Sequence, residues 1–123
     1  MKIEVKNLDT AFDQVKEYWS PAILASLNGQ ELRIARLKGS FPWHKHDDED
    51  ELFLVLEGEL KIELRDRTLH LKTGELVCIP RGIEHRPVAE NEVRVILFEP
   101  AGTRNTGNIE DEEYTRKSLK DLR

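Results

Sequence analysis

Residues 43–58 read Trp43-His44-Lys45-His46-Asp47-Asp48-Glu49-Asp50-Glu51-Leu52-Phe53-Leu54-Val55-Leu56-Glu57-Gly58, and the rest of the chain is read outward from them. Side chains two apart on a strand share a face, with Cβ atoms roughly 6–7 Å apart. The rings of His44 and His46 can therefore lean onto one ion, at about 2.0–2.1 Å each if the ion were zinc. Glu51 lies an odd number of positions after His46 and would face away on an unbroken strand. The reading thus requires a turn within Asp47 to Asp50, a run of short acidic residues that makes poor strand material. Beyond it, Glu51, Phe53 and Val55 share one face of a new strand, and Glu51 comes back beside the histidines. Taken alone, a His-x-His pair is common in chains that bind nothing, and an acidic run is most simply a solvated turn.

A second stretch changes that balance. Gly74-Glu75-Leu76-Val77-Cys78-Ile79-Pro80-Arg81-Gly82-Ile83-Glu84-His85 is a short apolar strand, a Pro/Gly turn and another histidine. Together the two segments resemble the paired motifs of the cupin superfamily. The first motif is a glycine, His-x-His, three or four residues, Glu, six residues and Gly, met here by His44, His46, Glu51 and Gly58. The second is a glycine, five residues, Pro-x-Gly, two residues and His, met by Gly74, Pro80, Gly82 and His85. Two departures stand out: Gly39 is one residue closer to His44 than usual, and Ala89 sits where an asparagine often closes the second motif. The resemblance is closest to small single-domain cupins of the mannose-6-phosphate isomerase-like, conserved-barrel type. It implies an all-β antiparallel jelly-roll barrel and metal ligands at His44, His46, Glu51 and His85. It also implies a homodimer paired through sheet edges, for which Ile3, Val5 and the hairpin around Asn28 are the candidates.

The flanking sequence agrees with many short strands. Asn28-Gly29 between two apolar-rich segments is a strong hairpin signal. Leu60, Ile62 and Leu64 alternate with Lys61, Glu63 and Arg65, one dry face and one wet. Strands at intervals of about 8–12 residues, separated by glycine turns, argue for a sandwich or barrel. Pro80-Arg81-Gly82 suits a type I turn with proline second and glycine last. Val93 to Phe98 is the last clear strand. Ile3 and Val5 suggest a short first strand or arm. Leu8, Phe12, Val15 and Trp19 form one helical stripe, so a helix is expected over about 8–19, with Thr10 and Asp13 as a weak cap and Ser20-Pro21 as its end. Trp43 should fill one layer while the histidines face the other, and Cys78, among apolar neighbours, reads as a buried small hydrophobe. His70, in phase with Thr68 and Lys72, reads as a surface residue. The barrel core should span about 22–100, within one domain of 1–123. The polar tail from about 103 to 123 has a weak stripe in Tyr114, Leu119 and Leu122 and fits a docked helix, a dimer arm or a frayed end.

Composition sets outer bounds. The 123 residues carry 38% hydrophobic side chains and a formal charge of −5, which gives no electrostatic basis for nucleic-acid binding. No apolar run approaches ~20 residues, so no membrane span is expected, and no signal-peptide region is seen. The single cysteine excludes an internal disulfide and fits a reducing, cytoplasmic setting.

The expected chemistry follows from the donor set. Three imidazoles and one carboxylate suit a divalent Fe, Mn, Ni, Zn or Cu ion and leave positions for a small-molecule ligand. The resemblance extends to metal-dependent isomerases, lyases and dioxygenases acting on small carbonyl, hydroxy or sugar-derived compounds. A non-catalytic metal- or metabolite-binding module, a sensor or accessory protein, is the alternative. Phe53 and Val55 are expected to line the pocket. Arg81 and Arg86 read as solvated loop residues, with contact to an anionic substrate as their alternative role. Nothing in the sequence places Glu84 inside as an acid or base.

Overall fold

The computed structural model describes residues 2–123: a helix α1 (Leu8–Phe12) and strands β1 (Ala22–Leu27), β2 (Gln30–Ser40), β3 (Glu51–Glu57), β4 (Glu59–Leu64), β5 (Thr68–Lys72), β6 (Leu76–Ile79), β7 (His85–Pro100) and β8 (Lys120–Asp121). They form one jelly-roll barrel in which β7 is the common neighbour. Its 16 residues pair with β2 along one edge. On the other edge, residues 85–88 pair with β4 and residues 94–98 with β3. Residues 85, 87, 89, 93, 95, 97 and 99 of β7 are buried, a period of two that puts both ends of the strand in phase toward the interior. That interior holds the larger apolar cluster, including Ala35, Leu37, Phe53, Val55, Leu60, Ile62 and Val95. A smaller cluster lies outside the barrel, where Ala11, Phe12 and Val15 cover Ala22, Leu24 and Ile34.

The β1–β2 hairpin forms at Asn28-Gly29, with Leu27 opposite Gln30 and φ of 49° and 78° at the two turn residues. Positive φ at both positions is the type I′ signature that Asn-Gly favours. The Pro80 turn falls one residue later than expected. Ile83 N–H donates to the Pro80 carbonyl at 3.3 Å, and Gly82 has φ of 80° at the third position, as a type II turn requires.

The helix expected over 8–19 stops at Phe12. Its N-cap is Asn7, whose side chain accepts from Thr10 N–H, in place of the Thr10–Asp13 arrangement. The cause of the early end is visible in β2: Arg36 donates to the carbonyls of Phe12 and Val15 at 2.8 Å each, fixing a non-helical path for the chain between them. Trp19 is buried at φ of 58°, packs on Phe41 at 4.8 Å and donates its Nε1–H to the Lys38 carbonyl. No strand forms at Ile3 or Val5, which are 92% and 100% exposed.

Cys78 is exposed, contrary to expectation, because β6 is an edge strand paired only with β3 and its phase turns Cys78 outward while Ile79 is buried. Trp43 fills no layer. It is half-buried with the Arg65 guanidinium 3.9 Å from its ring centre. His70 is exposed as expected. The tail contains no helix among the described residues. It runs through turns held by Thr106–Thr115 and Asn105–Arg116 hydrogen bonds, and ends with β8 parallel to β1. Among the described residues, no helix is long and apolar enough to cross a membrane.

Candidate metal centre

Residues 41–50 are irregular, where a histidine-bearing strand was expected. Pro42 lacks an amide hydrogen and the acidic run bends at Asp47-Asp48, so a continuous ladder cannot form. A single bridge replaces it: His44 N–H donates to the His85 carbonyl at 3.1 Å, and His85 N–H to the His44 carbonyl at 2.9 Å. The loop is held at further points. Gly82 N–H donates to the His46 carbonyl, and Arg81 N–H to Asp50 Oδ1. The tail contributes Asn108, which accepts from Lys45 N–H and donates its own N–H to the Lys45 carbonyl. Gly107 lies so close beneath that a Cβ there would collide with the Lys45 carbonyl.

These constraints bring His44, His46, Glu51 and His85 together. All four are buried, and their donor atoms lie within 4.8 Å of one another. Glu51 Oε1 is 3.3 Å from His46 Nε2 and 3.4 Å from His85 Nε2. Ligands at about 2.0–2.2 Å from a shared ion are separated by roughly such distances. Two tautomers are fixed. His44 Nδ1 lies 3.0 Å from the Pro42 carbonyl and His85 Nδ1 lies 2.9 Å from the Ile83 carbonyl. A carbonyl only accepts, so both Nδ1 atoms carry hydrogen and both Nε2 atoms are turned toward the cluster, the arrangement that orients metal-binding imidazoles. His46 has no hydrogen-bond partner on either nitrogen despite being buried, its 3.3 Å approach to Glu51 lacking hydrogen-bonding geometry. A buried polar atom without a partner is costly, and a cation at this point would remove that cost.

Electrostatics favour the same occupant. Burial, reinforced by the charge of His85, lowers His44 to about 4, so the ring is neutral at pH 7 and offers a lone pair. Burial opposes ionisation of Glu51, but its close contacts with the His46 and His85 rings outweigh this and hold the carboxyl well below its usual range.

Beside the cluster, the barrel interior contains a narrow cavity, about 30 Å³ for the centre of a water-sized sphere, lined by His44, Glu51, Phe53, Arg33 and Glu99 among others. Phe53 reaches it as expected, whereas Val55 is buried in the core away from it. Glu84, Arg81 and Arg86 are engaged elsewhere: Glu84 and Arg81 pair with Arg65 and Asp50 on the surface, and Arg86 makes a half-buried pair with Glu63.

The inner end of the cavity was not anticipated. Arg33 is 1% exposed and donates through Nε and one terminal nitrogen to Glu31 Oε1, and through the other to the Thr103 carbonyl. Glu31 stands directly opposite Glu99 on β7. The β3–β7 register, with Leu52 opposite Phe98, sets Glu51 and Glu99 on the next rung. Glu31, Glu99 and Glu51 thus form a row across three strands, with the buried Arg33 guanidinium against it and Arg123 4.0 Å from Glu31 at its outer end. Burial, then the charge of Glu51, push Glu99 well above the usual carboxylate range, with Arg33 opposing. The signal was present in the sequence: Arg33 is in phase with Ala35 and Leu37, and Glu99 with Val93, Val95 and Leu97.

Comparison with known proteins agrees with this fold. The family profile described as the cupin domain matches residues 33–99. The uncharacterized protein YdbB of Bacillus subtilis is 39% identical over 84 residues, covering 68% of this chain and 74% of YdbB. A cupin-2 domain protein from Shewanella frigidimarina superposes with a TM-score of 0.76 at 38% identity, over 78% of this chain and 94% of that one. Protein NMB1881 from Neisseria meningitidis gives 0.73 at 29% identity, over 80% and 100%. With the profile spanning more than half of its length, the chain belongs to the cupin domain family.

Proposed function

We propose that the protein binds one divalent metal ion through His44, His46, Glu51 and His85 and uses it on a small carbonyl or hydroxy compound, as an isomerase, lyase or dioxygenase. The observation that carries this reading is the convergence of four buried donors with two tautomers preset for ligation. Such an ion supplies Lewis-acid polarisation of a bound oxygen. The chain's own residues do the rest. Pro42 and Ile83 carbonyls orient two rings, Glu51 supplies negative charge, and Phe53 and Leu97 exclude bulk water from the cavity. The competing reading is a module that holds a metal or metabolite without turnover, and it draws on the narrowness of the cavity. Pairing of two copies through the exposed Ile3 and Val5 arm, and a cytoplasmic setting consistent with a free exposed thiol, complete the proposal.

Isothermal titration of metal-free protein with Mn²⁺, Fe²⁺, Ni²⁺ and Zn²⁺ is expected to show one strong site per chain. Outer-shell partners alone are worth about 10–100-fold in affinity, so the double variant His44→Ala/His85→Ala should lose roughly 10⁴-fold. Equal affinity in the variant would refute the centre. Product formation from a panel of small hydroxy and keto compounds separates the enzyme from the binder, which would show ligand-induced thermal stabilisation only.

A further inference from the structure

The polar groups lining the cavity are nearly all committed. His44 Nδ1 is held by Pro42, Glu51 belongs to the histidine cluster, and Arg33 is engaged by Glu31 and Thr103. Asn105 donates to the Tyr114 carbonyl and accepts from Arg116 N–H. Glu99 is the exception. It is 1% exposed, it lines the cavity, and neither carboxyl oxygen has a hydrogen-bond partner. Its nearest cation, Arg33, stands 3.5 Å from Oε1, close enough for Coulomb attraction but without a hydrogen bond. A buried carboxyl of this kind lacks a donor, and the open space on its cavity side is where a donor can arrive.

We propose that Glu99 is a specificity-determining residue, accepting a hydrogen bond from a hydroxyl of a compact, uncharged hydroxy-carbonyl compound whose carbonyl faces the His44–His46–Glu51–His85 cluster. The size follows from the cavity, with about 30 Å³ for water-sized centres. This is room for about two waters or a few heavy atoms. At the hydroxyl end, the row of Glu31, Glu99 and Glu51 is acidic, which disfavours an anionic group there and suits an uncharged one. The inference rests on the metal reading above and adds the substrate class to it.

Two probes of equal size separate the two ideas. Hydroxyacetone and butanone differ only by a hydroxyl in place of a methyl. Zinc is titrated first into the protein, Glu99→Leu and Glu99→Gln, and one site of similar affinity is expected in all three. The zinc-loaded proteins are then titrated with each ketone. A net hydrogen bond to a buried carboxyl predicts that hydroxyacetone binds about 2- to 10-fold tighter than butanone. The preference should vanish in Glu99→Leu and survive in part in Glu99→Gln, which keeps an acceptor oxygen. Absence of zinc binding by the unaltered protein overturns the metal reading and the subsite with it. Zinc binding without a preference between ketones, or a preference that persists in Glu99→Leu, overturns the subsite alone.

Discussion

The barrel interior holds two polar clusters of opposite construction. In the histidine cluster, three rings surround one carboxylate, backbone carbonyls hold two of the rings through Nδ1, and the donor atoms meet. In the row of Glu31, Glu99 and Glu51, three acids face each other across β2, β7 and β3 with one arginine between them. The first is complete once a cation arrives. The second has more acid than base, and the excess falls on Glu99. Like groups on facing rungs of a sheet are destabilising, so such a row is not what a barrel of this size needs for its core. The difference separates a candidate site for an ion from the proposed site for what that ion would hold.

Removing Arg33 tests the second cluster most severely. Arg33→Met leaves Glu99 buried without a cation and Glu31 with only Arg123 at 4.0 Å, and breaking a buried pair in this way costs about 3–5 kcal/mol. Urea unfolding at pH 7 should show that loss. An unchanged midpoint would mean the acids are solvated and the row is not a buried network.

Acid tests the first cluster. His44 titrates near 4 when folded against 6.5 when free, so the unfolded chain takes up a proton at a pH where the folded chain does not. The contribution is fully present above 6.5 and is lost as pH falls through 4. The interval corresponds to about 3 kcal/mol. The lowered Glu51 acts in the same direction below its ordinary value, while the raised Glu99 acts oppositely, gaining as pH falls. Comparison with His44→Gln cancels these to first order. The stability advantage of the metal-free protein over that variant should shrink by about 3 kcal/mol between pH 7 and 4, and a constant difference would place His44 in water.

The smallest effect concerns the clamp beneath the ligand loop. Gly107→Ala puts a methyl against the Lys45 carbonyl at a backbone φ of 58°. Overpacking and strain of this kind cost about 1–3 kcal/mol. Metal affinity should fall as well, because the loop carries His44 and His46. A thermal shift with unaltered affinity would show that the tail supports the barrel and not the ligands.

These two clusters were unequally legible. His44, His46, Glu51 and His85 could be read because ligand chemistry restricts residue type and strand and turn lengths restrict spacing. Glu31, Arg33 and Glu99 lie on two strands whose registration is set by long-range pairing, and a charged residue in an alternating segment is normally taken as outward-facing. Their phase with Ala35, Leu37 and Leu97 carried the information, but it becomes compelling only once Glu31 is seen opposite Glu99. Local signals served the Asn28-Gly29 hairpin well and failed for α1. There the apolar stripe through Val15 and Trp19 is satisfied by docking on the barrel, with Arg36 taking the carbonyls a longer helix would have used. Cys78 failed for the same reason in reverse, since an apolar run on an edge strand has one face with nothing to cover it.

His85 opens β7 and Glu99 nearly closes it, both on the inward parity. A lone insertion or deletion between them would rotate one of the pair to the outside, whatever it did to stability. The spacing of fourteen positions is therefore a conserved quantity of the design in the arithmetical sense: sequences that keep both residues can change this span only by even steps or by adding a compensating bulge. Chain-length variation among similar barrels is thus itself a record of which of them need both ends of the strand.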